Sequence, residues 1–179
     1  MIGRERWDVL NKDGKPVGRT MLRGENTLKI GEYHLVVHIW VLSSNGNILI
    51  QRRSNEKKLM PGEWAATGGA AISGEDSYTA AHRELFEELS ISSTPENMKK
   101  LTRIFRRNSL LDVWAITCDC AAEELTLQKS EVAAVKWVTR AQLKKMIEDG
   151  LFHDYGKEYF QVVFSELDRY RKSREHIYG

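Results

Sequence analysis

Three glutamates, Glu84, Glu87 and Glu88, stand three and four positions apart in the segment SYTAAHRELFEELSI, so a helix would carry them on one face. Only Arg83 interrupts the negative charge, and Glu75 adds a fourth carboxylate eight residues before it. Like charges at this spacing repel by about 0.2–0.5 kcal/mol per pair in water, and by more when desolvated. A hard divalent cation removes the conflict. Mg²⁺ binds through one or two carboxylates, keeps several waters and takes further oxygens from substrate phosphates. A solvated acidic face is the competing reading, and three glutamates alone do not decide between the two. Their position just after Gly68 and Gly69 favours the metal.

These residues need elements to hold them. The run RWDVLNKDGKPVGRTM places Asp13-Gly14 between two semi-apolar stretches, which predicts a leading hairpin over about 5–22. HLVVHIWVL and NILIQ, joined across Asn45-Gly46, predict a second hairpin central in a sheet. Residues 52–69, polar and rich in Gly and Pro, read as loop. A helix follows from about Glu75 to Leu89, with Tyr78, Ala81, Leu85 and Leu89 on its apolar side. Residues 92–100 read as turn, and 103–105, 110–120 and 132–138 as strands. Thr139 caps a short helix that stops at Gly150, and a last helix over about 155–171 carries Phe160, Val163, Phe164, Leu167 and Tyr170 at helical spacing. The C-terminal helices thus occupy about 139–173. The apolar face of the last helix packs on its own domain or, in a homodimer, on a second subunit.

Gly69, Glu75, Arg83-Glu84-Leu85, Glu87-Glu88 and Ile91 together resemble the signature of Nudix hydrolases, matching eight of its nine fixed positions across residues 69–91. The departure is Ser90, where the family has glycine. Such a glycine ends the helix in a left-handed conformation that serine adopts less easily, so a different helix exit is expected. The resemblance implies an α/β fold, a Nudix-type α/β/α sandwich with a mixed β-sheet. It also implies Glu84, Glu87 and Glu88 as ligands of Mg²⁺ or Mn²⁺, with the Gly68 carbonyl as a backbone ligand. Glu75 and Arg83 would form the ion pair that orients this face. Glu131, in SEVAAVKWV, matches a family glutamate that serves as general base, with Glu123 and Glu124 as weaker candidates. The reaction implied is attack of water on phosphorus in a small-molecule diphosphate.

Upstream, QRRSNEKKLMPGEW is similar to the matching segment of isopentenyl diphosphate isomerases, a non-hydrolytic branch of the same fold. That similarity implies Arg53 and Lys57 as diphosphate-binding residues; a solvated basic loop is the bland alternative. Trp64 is a candidate to cover the substrate. The isomerase needs a cysteine where this chain has Gly68, and a glutamate on a strand within 101–119, where none occurs. A hydrolase fits better than an isomerase. A non-catalytic binding module for nucleotide diphosphates would be expected to have lost carboxylates that are all present here.

The rest of the composition narrows the field. With 179 residues, 41% of them apolar, the chain suits one domain over 1–179. Twenty-seven basic side chains against 25 acidic ones give a formal charge of +2, which makes no case for a nucleic-acid or membrane partner. Cys118 and Cys120 read as reduced, partly buried thiols. His34 and His38, four apart on one strand, lie roughly 13 Å from each other, too far to share a metal. Trp40, Trp114 and Trp137 read as core. The opening MIGRERWDVL has no apolar leader, so a soluble, cytoplasmic protein is expected.

Overall fold

The aliphatic and β-branched runs form the strands at the centre of the molecule. A computed structural model describes residues 5–178, with side chains through residue 174. The first four residues, part of the opening segment read for a leader, and Gly179 lie outside the described residues. Strands β1 (Arg6–Leu10) and β2 (Pro16–Leu22) form the expected leading hairpin as a separate two-stranded sheet. The Asn11 side chain closes its turn by accepting from the backbone of Asp13 and Lys15, and Gly14 supplies the positive φ of +76°. A bridge between Leu10 and Tyr33 ties the hairpin to the entrance of the main sheet.

That main sheet is mixed. Strand β3 (His34–Leu42) runs parallel to β8 (Ser109–Thr117) along its whole length, and every other pairing is antiparallel. On its other edge β3 pairs first with β6 (Thr67–Ala70) and then, at Val41–Leu42, with β4 (Ile48–Arg53). Strand β4 continues outward to β5 (Trp64–Ala65) and β9 (Val132–Val138), and β7 (Met98–Phe105) forms the edge beyond β8.

Both faces of the sheet are covered, which is why its inner strands read as continuous apolar runs. On one face Val37, Ile39 and Val41 pack with Ala81, Leu85 and Leu89 of α1 (Ser77–Leu89). On the other, Trp40, Leu111 and Val113 pack with Val163 and Leu167 of α3 (Lys157–Tyr178). Each fully buried leucine there stabilises the fold by about 1.5–3 kcal/mol. The chain forms the expected α/β/α sandwich, and the apolar face of α3 is used up on its own sheet. Between them, α2 (Arg140–Glu148) starts at Thr139 with a reciprocal capping box to Gln142. No helix among the described residues is long and apolar enough to cross a membrane.

Four local expectations need correction. Residues 64–70 are not loop, since Gly68 and Gly69 lie inside β6. Their missing side chains serve close approach: a Cβ on Gly68 would stand 2.1 Å from the Val37 carbonyl oxygen. Strand β7 begins at Met98, inside the stretch read as turn, because its pairing with β8 overrides a polar composition. Strand β8 ends at Thr117, leaving Cys118 and Cys120 beyond it as free, partly buried thiols with Sγ atoms 2.7 Å apart. Finally, Ser90 takes the left-handed conformation after all, at φ 56°, and its hydroxyl donates to the Thr126 carbonyl. The exit from α1 therefore keeps the geometry a glycine would give.

Candidate active site

Helix α1 starts where Asp76 caps it, accepting from the Thr79 backbone N–H at 2.7 Å. From there its apolar side faces the sheet, and the turn bearing Glu84, Glu87 and Glu88 falls at the boundary between core and cleft. The three carboxylates meet different surroundings: Glu88 is 3% exposed, the Glu84 side chain 14% and the Glu87 side chain 50%.

Arg83 organises the acidic face. Its guanidinium grips Glu75 through two bonds of 2.7 and 3.0 Å, donates to Glu84 at 2.9 Å and Glu87 at 3.2 Å, and reaches the Ala70 carbonyl at 3.1 Å. Helix and glycine strand are thereby clamped together. Hydrogen bonding to Glu75 leads the effects that raise the Arg83 pKa, so the guanidinium stays charged.

Glu84 lies against the glycine strand so closely that a Cβ on Gly69 would stand 2.2 Å from its Oε1. Burial raises the Glu84 pKa despite Arg83, and the nearby Glu87 adds to the rise. Glu88 is the extreme case. Burial first, then the negative charge of Glu84, pushes its pKa up to about 8. Among the described residues its carboxylate has one hydrogen-bond donor, the neutral amide of Gln51, whose Nε2 on β4 lies at 3.0 Å. The other end of that amide, Gln51 Oε1, is buried with no partner.

This donor set fits a hard cation: two carboxylates held close in a low-dielectric place, one of them lying in the space that the bare Cα of Gly69 leaves. Among the described residues, no three His, Cys, Asp or Glu side chains already converge as a metal-holding group. The remaining oxygens would come from Gly68, solvent and substrate phosphate.

The other residues singled out in the sequence fall in two places. Arg53 closes β4, donates Nε to the Leu59 carbonyl at 3.2 Å, and lines a cavity of about 620 Å³ together with Gly68 and Gly69. Lys57 and Glu131 form a direct ion pair, so the phosphate-binding candidate and the candidate base hold each other. Glu131 contributes to raising Glu88, which places the pair within electrostatic reach of the carboxylates. Trp64 sits elsewhere: on β5, its indole 4.3 Å beneath the Lys136 ammonium, packed on the second apolar cluster and off the wall of that cavity. Glu123 and Glu124 lie on a single 3-10 turn, Ala122–Glu124. His34 and His38 both line the cavity, and burial holds both below the ordinary histidine range, His38 down to about 3.

Gln51 and Arg106 were missed in the sequence. A glutamine at the end of ILIQ was a usable signal, being a polar side chain that directly continues an apolar run buried in the strand. Arg106, in the turn between β7 and β8, carried none.

The sandwich, the glycine strand and the glutamate helix clamped to it define a Nudix domain, and residues 32–160 match the NUDIX domain family model. The chain belongs to the Nudix family and is a hydrolase of phosphoric anhydride bonds. It is 38% identical over 152 residues to an uncharacterised Nudix hydrolase of Listeria monocytogenes, covering 84% of this chain and 89% of that one. A crystal structure of a Deinococcus radiodurans protein shares its fold with a TM-score of 0.69 at 27% identity, covering 83% of this chain and 91% of the other. A Nudix domain from Shewanella oneidensis, crystallised with ADP ribose, matches at a TM-score of 0.52 and 18% identity over 63% of this chain and 77% of its own.

Proposed function

We propose that the protein is a Mg²⁺-dependent pyrophosphohydrolase that cleaves the diphosphate linkage of a nucleoside diphosphate derivative or a similar small metabolite by attack of water on phosphorus. The observation that carries this reading is Glu88. It is buried beside Glu84 with only a neutral amide for a partner. Such a placement costs stability unless a cation is recruited. Glu84, Glu88 and the more exposed Glu87, with the Gly68 carbonyl oxygen, would hold Mg²⁺, and the same all-oxygen set would accept Mn²⁺. A bound divalent ion neutralises the diphosphate and lowers the pKa of a coordinated water.

The chain's own residues supply the rest. Arg83 fixes Glu84 against Gly69, and Gln51 fixes one oxygen of Glu88. Arg53 and Lys57 face the substrate phosphates. Because Lys57 is paired with Glu131, a phosphate that draws Lys57 away frees Glu131 to accept a proton from water. We read residues 1–179 as one functional unit, because the leading hairpin contributes Trp7 and Met21 to the cavity wall.

Isomerase chemistry fits less well, since the cysteine it needs at position 68 would drive its Cβ into the Val37 carbonyl. The test is product release from nucleoside diphosphate sugars, ADP ribose, nucleoside di- and triphosphates and isopentenyl diphosphate, each with Mg²⁺ and with chelator. Metal-dependent cleavage of one class is expected. Double-bond migration in isopentenyl diphosphate, or tight binding with no cleavage of any class, would overturn the reading.

A further inference from the structure

The cavity beside the glycine strand is lined by Gly68 and Gly69, not by Glu84, Glu87 or Glu88, and extends away from them to the leading hairpin. Its floor is β3 and β6, and its outer wall is the leading hairpin with the chain that follows it. A volume of about 620 Å³ lies in the range of small-ligand sites. Two features of its chemistry are unusual for an ordinary surface cleft.

The first is uncompensated positive charge. Arg106, half-buried at the turn after β7, points its guanidinium at the Tyr159 ring from 5.9 Å. It has no side-chain hydrogen bond and no carboxylate within ion-pair distance among the described residues. Arg53, on the same wall, donates to the Leu59 carbonyl and lies within electrostatic reach of Glu88. Elsewhere the half-buried arginines are matched: Arg83 by Glu75, Arg103 by Asp112 and Arg19 by Glu32. The one acid on the cavity rim, Glu25, is exposed and turned back onto the Leu22 backbone N–H.

The second is an oriented aromatic wall. Trp7 of β1 stacks on His34 of β3, with centroids 4.5 Å apart and planes within 15°. Trp7 Nε1 and His34 Nδ1 are both buried without a partner. Buried donors in a native protein are nearly always satisfied, so the Trp7 indole N–H, which can only donate, is placed to meet an acceptor atom.

We propose that this cavity is an oxyanion-binding subsite, in which Arg106 grips a phosphate or carboxylate on the part of the substrate remote from the metal. A guanidinium presents forked N–H donors that match such an oxyanion. The substrate therefore carries an anionic group at its cavity end, and a compound ending there in a neutral sugar or alkyl chain is a poor fit. The inference deepens the hydrolase reading and relies on it only for which end of the ligand faces the metal.

The test is titration of inorganic phosphate, and separately acetate, in the presence of chelator, followed by calorimetry and by tryptophan fluorescence from the Trp7 wall. Working without divalent ion separates this outcome from that of the hydrolase reading. Saturable phosphate binding is expected, weakened about tenfold or more in Arg106→Gln and partly restored in Arg106→Lys. Arg107→Gln, one residue along and off the cavity wall, is expected to bind within about twofold of the parent. Acetate binding with the same Arg106 dependence would assign the group to carboxylates as well. Unchanged affinity in Arg106→Gln with an unaltered melting temperature, or no saturable binding of either anion by the parent, would overturn the proposal.

Discussion

Two carboxylates are buried among the described residues, and they are treated in opposite ways. Asp112 on β8 is fully buried and meets two cations, Lys100 at 2.5 Å and Arg103 through bonds of 2.6 and 2.8 Å. Burial alone would raise its pKa, but the hydrogen bonds from Arg103 and Lys100 outweigh it and hold the carboxyl below its ordinary value. Glu88 on α1 is buried nearly as deeply and meets only the Gln51 amide, so burial wins and its pKa rises to about 8. One acid is neutralised by the fold, while the other is kept in want of positive charge. Asp112 is what a buried structural carboxylate looks like here, and Glu88 departs from that pattern in the way the proposed metal site requires.

The comparison is broken most sharply by removing each acid in turn. Glu88→Gln is expected to lower turnover about a hundredfold or more while leaving the melting temperature equal or higher, because it replaces a buried acid whose charged form has no cationic partner. Asp112→Asn should do the reverse. It costs about 2–4 kcal/mol of stability by stranding Lys100 and Arg103, a cost softened by their partial exposure, with turnover per folded molecule unchanged. Denaturation curves alongside initial rates check both variants. A large activity loss in Asp112→Asn at unchanged stability would erase the distinction.

A smaller effect is expected at the glycine strand. In Gly69→Ala the new methyl must displace the Glu84 carboxylate, which Arg83 holds in place, so metal affinity should fall about tenfold with little change in folding. Mn²⁺ titration by electron paramagnetic resonance measures this directly. His38 contributes a pH dependence of stability, its folded pKa of about 3 lying below its unfolded value of 6.5. Above pH 6.5 neither state is charged and there is no effect. Between pH 6.5 and 3 only the unfolded chain takes the proton, so stability falls as pH falls, by about 1.4 kcal/mol per unit at most. Melting temperatures from pH 7.5 to 4.5 should show this slope, and His38→Gln should flatten it. Ser90→Gly is expected to change stability by less than about 0.5 kcal/mol, since relief of the positive φ offsets loss of the bond to Thr126.

The contrast also shows what a sequence can reveal. The acidic face of α1 was legible because helical spacing makes Glu84, Glu87 and Glu88 neighbours whatever the rest of the chain does. The sandwich was legible from HLVVHIWVL and from the stripe on α3, which are apolar enough to force burial. Gly68 and Gly69 misled, since the absence of a side chain marks a turn and a close approach equally well. The cation partners of Asp112 lie nine and twelve residues away on a neighbouring strand, and Arg106 reaches the cavity only through the pairing of β7 with β8. Which buried acid is satisfied depends on that register, and a one-dimensional pattern does not contain it.

The most direct measurement is calorimetric titration of Mn²⁺ into the parent protein, Glu88→Gln and Asp112→Asn at pH 7.5, each confirmed folded. Saturable binding by the parent and by Asp112→Asn, with loss of about tenfold or more in Glu88→Gln, is the expected result. Equal binding by the parent and Glu88→Gln would contradict it, and would make Glu88 a buried acid held protonated by its surroundings.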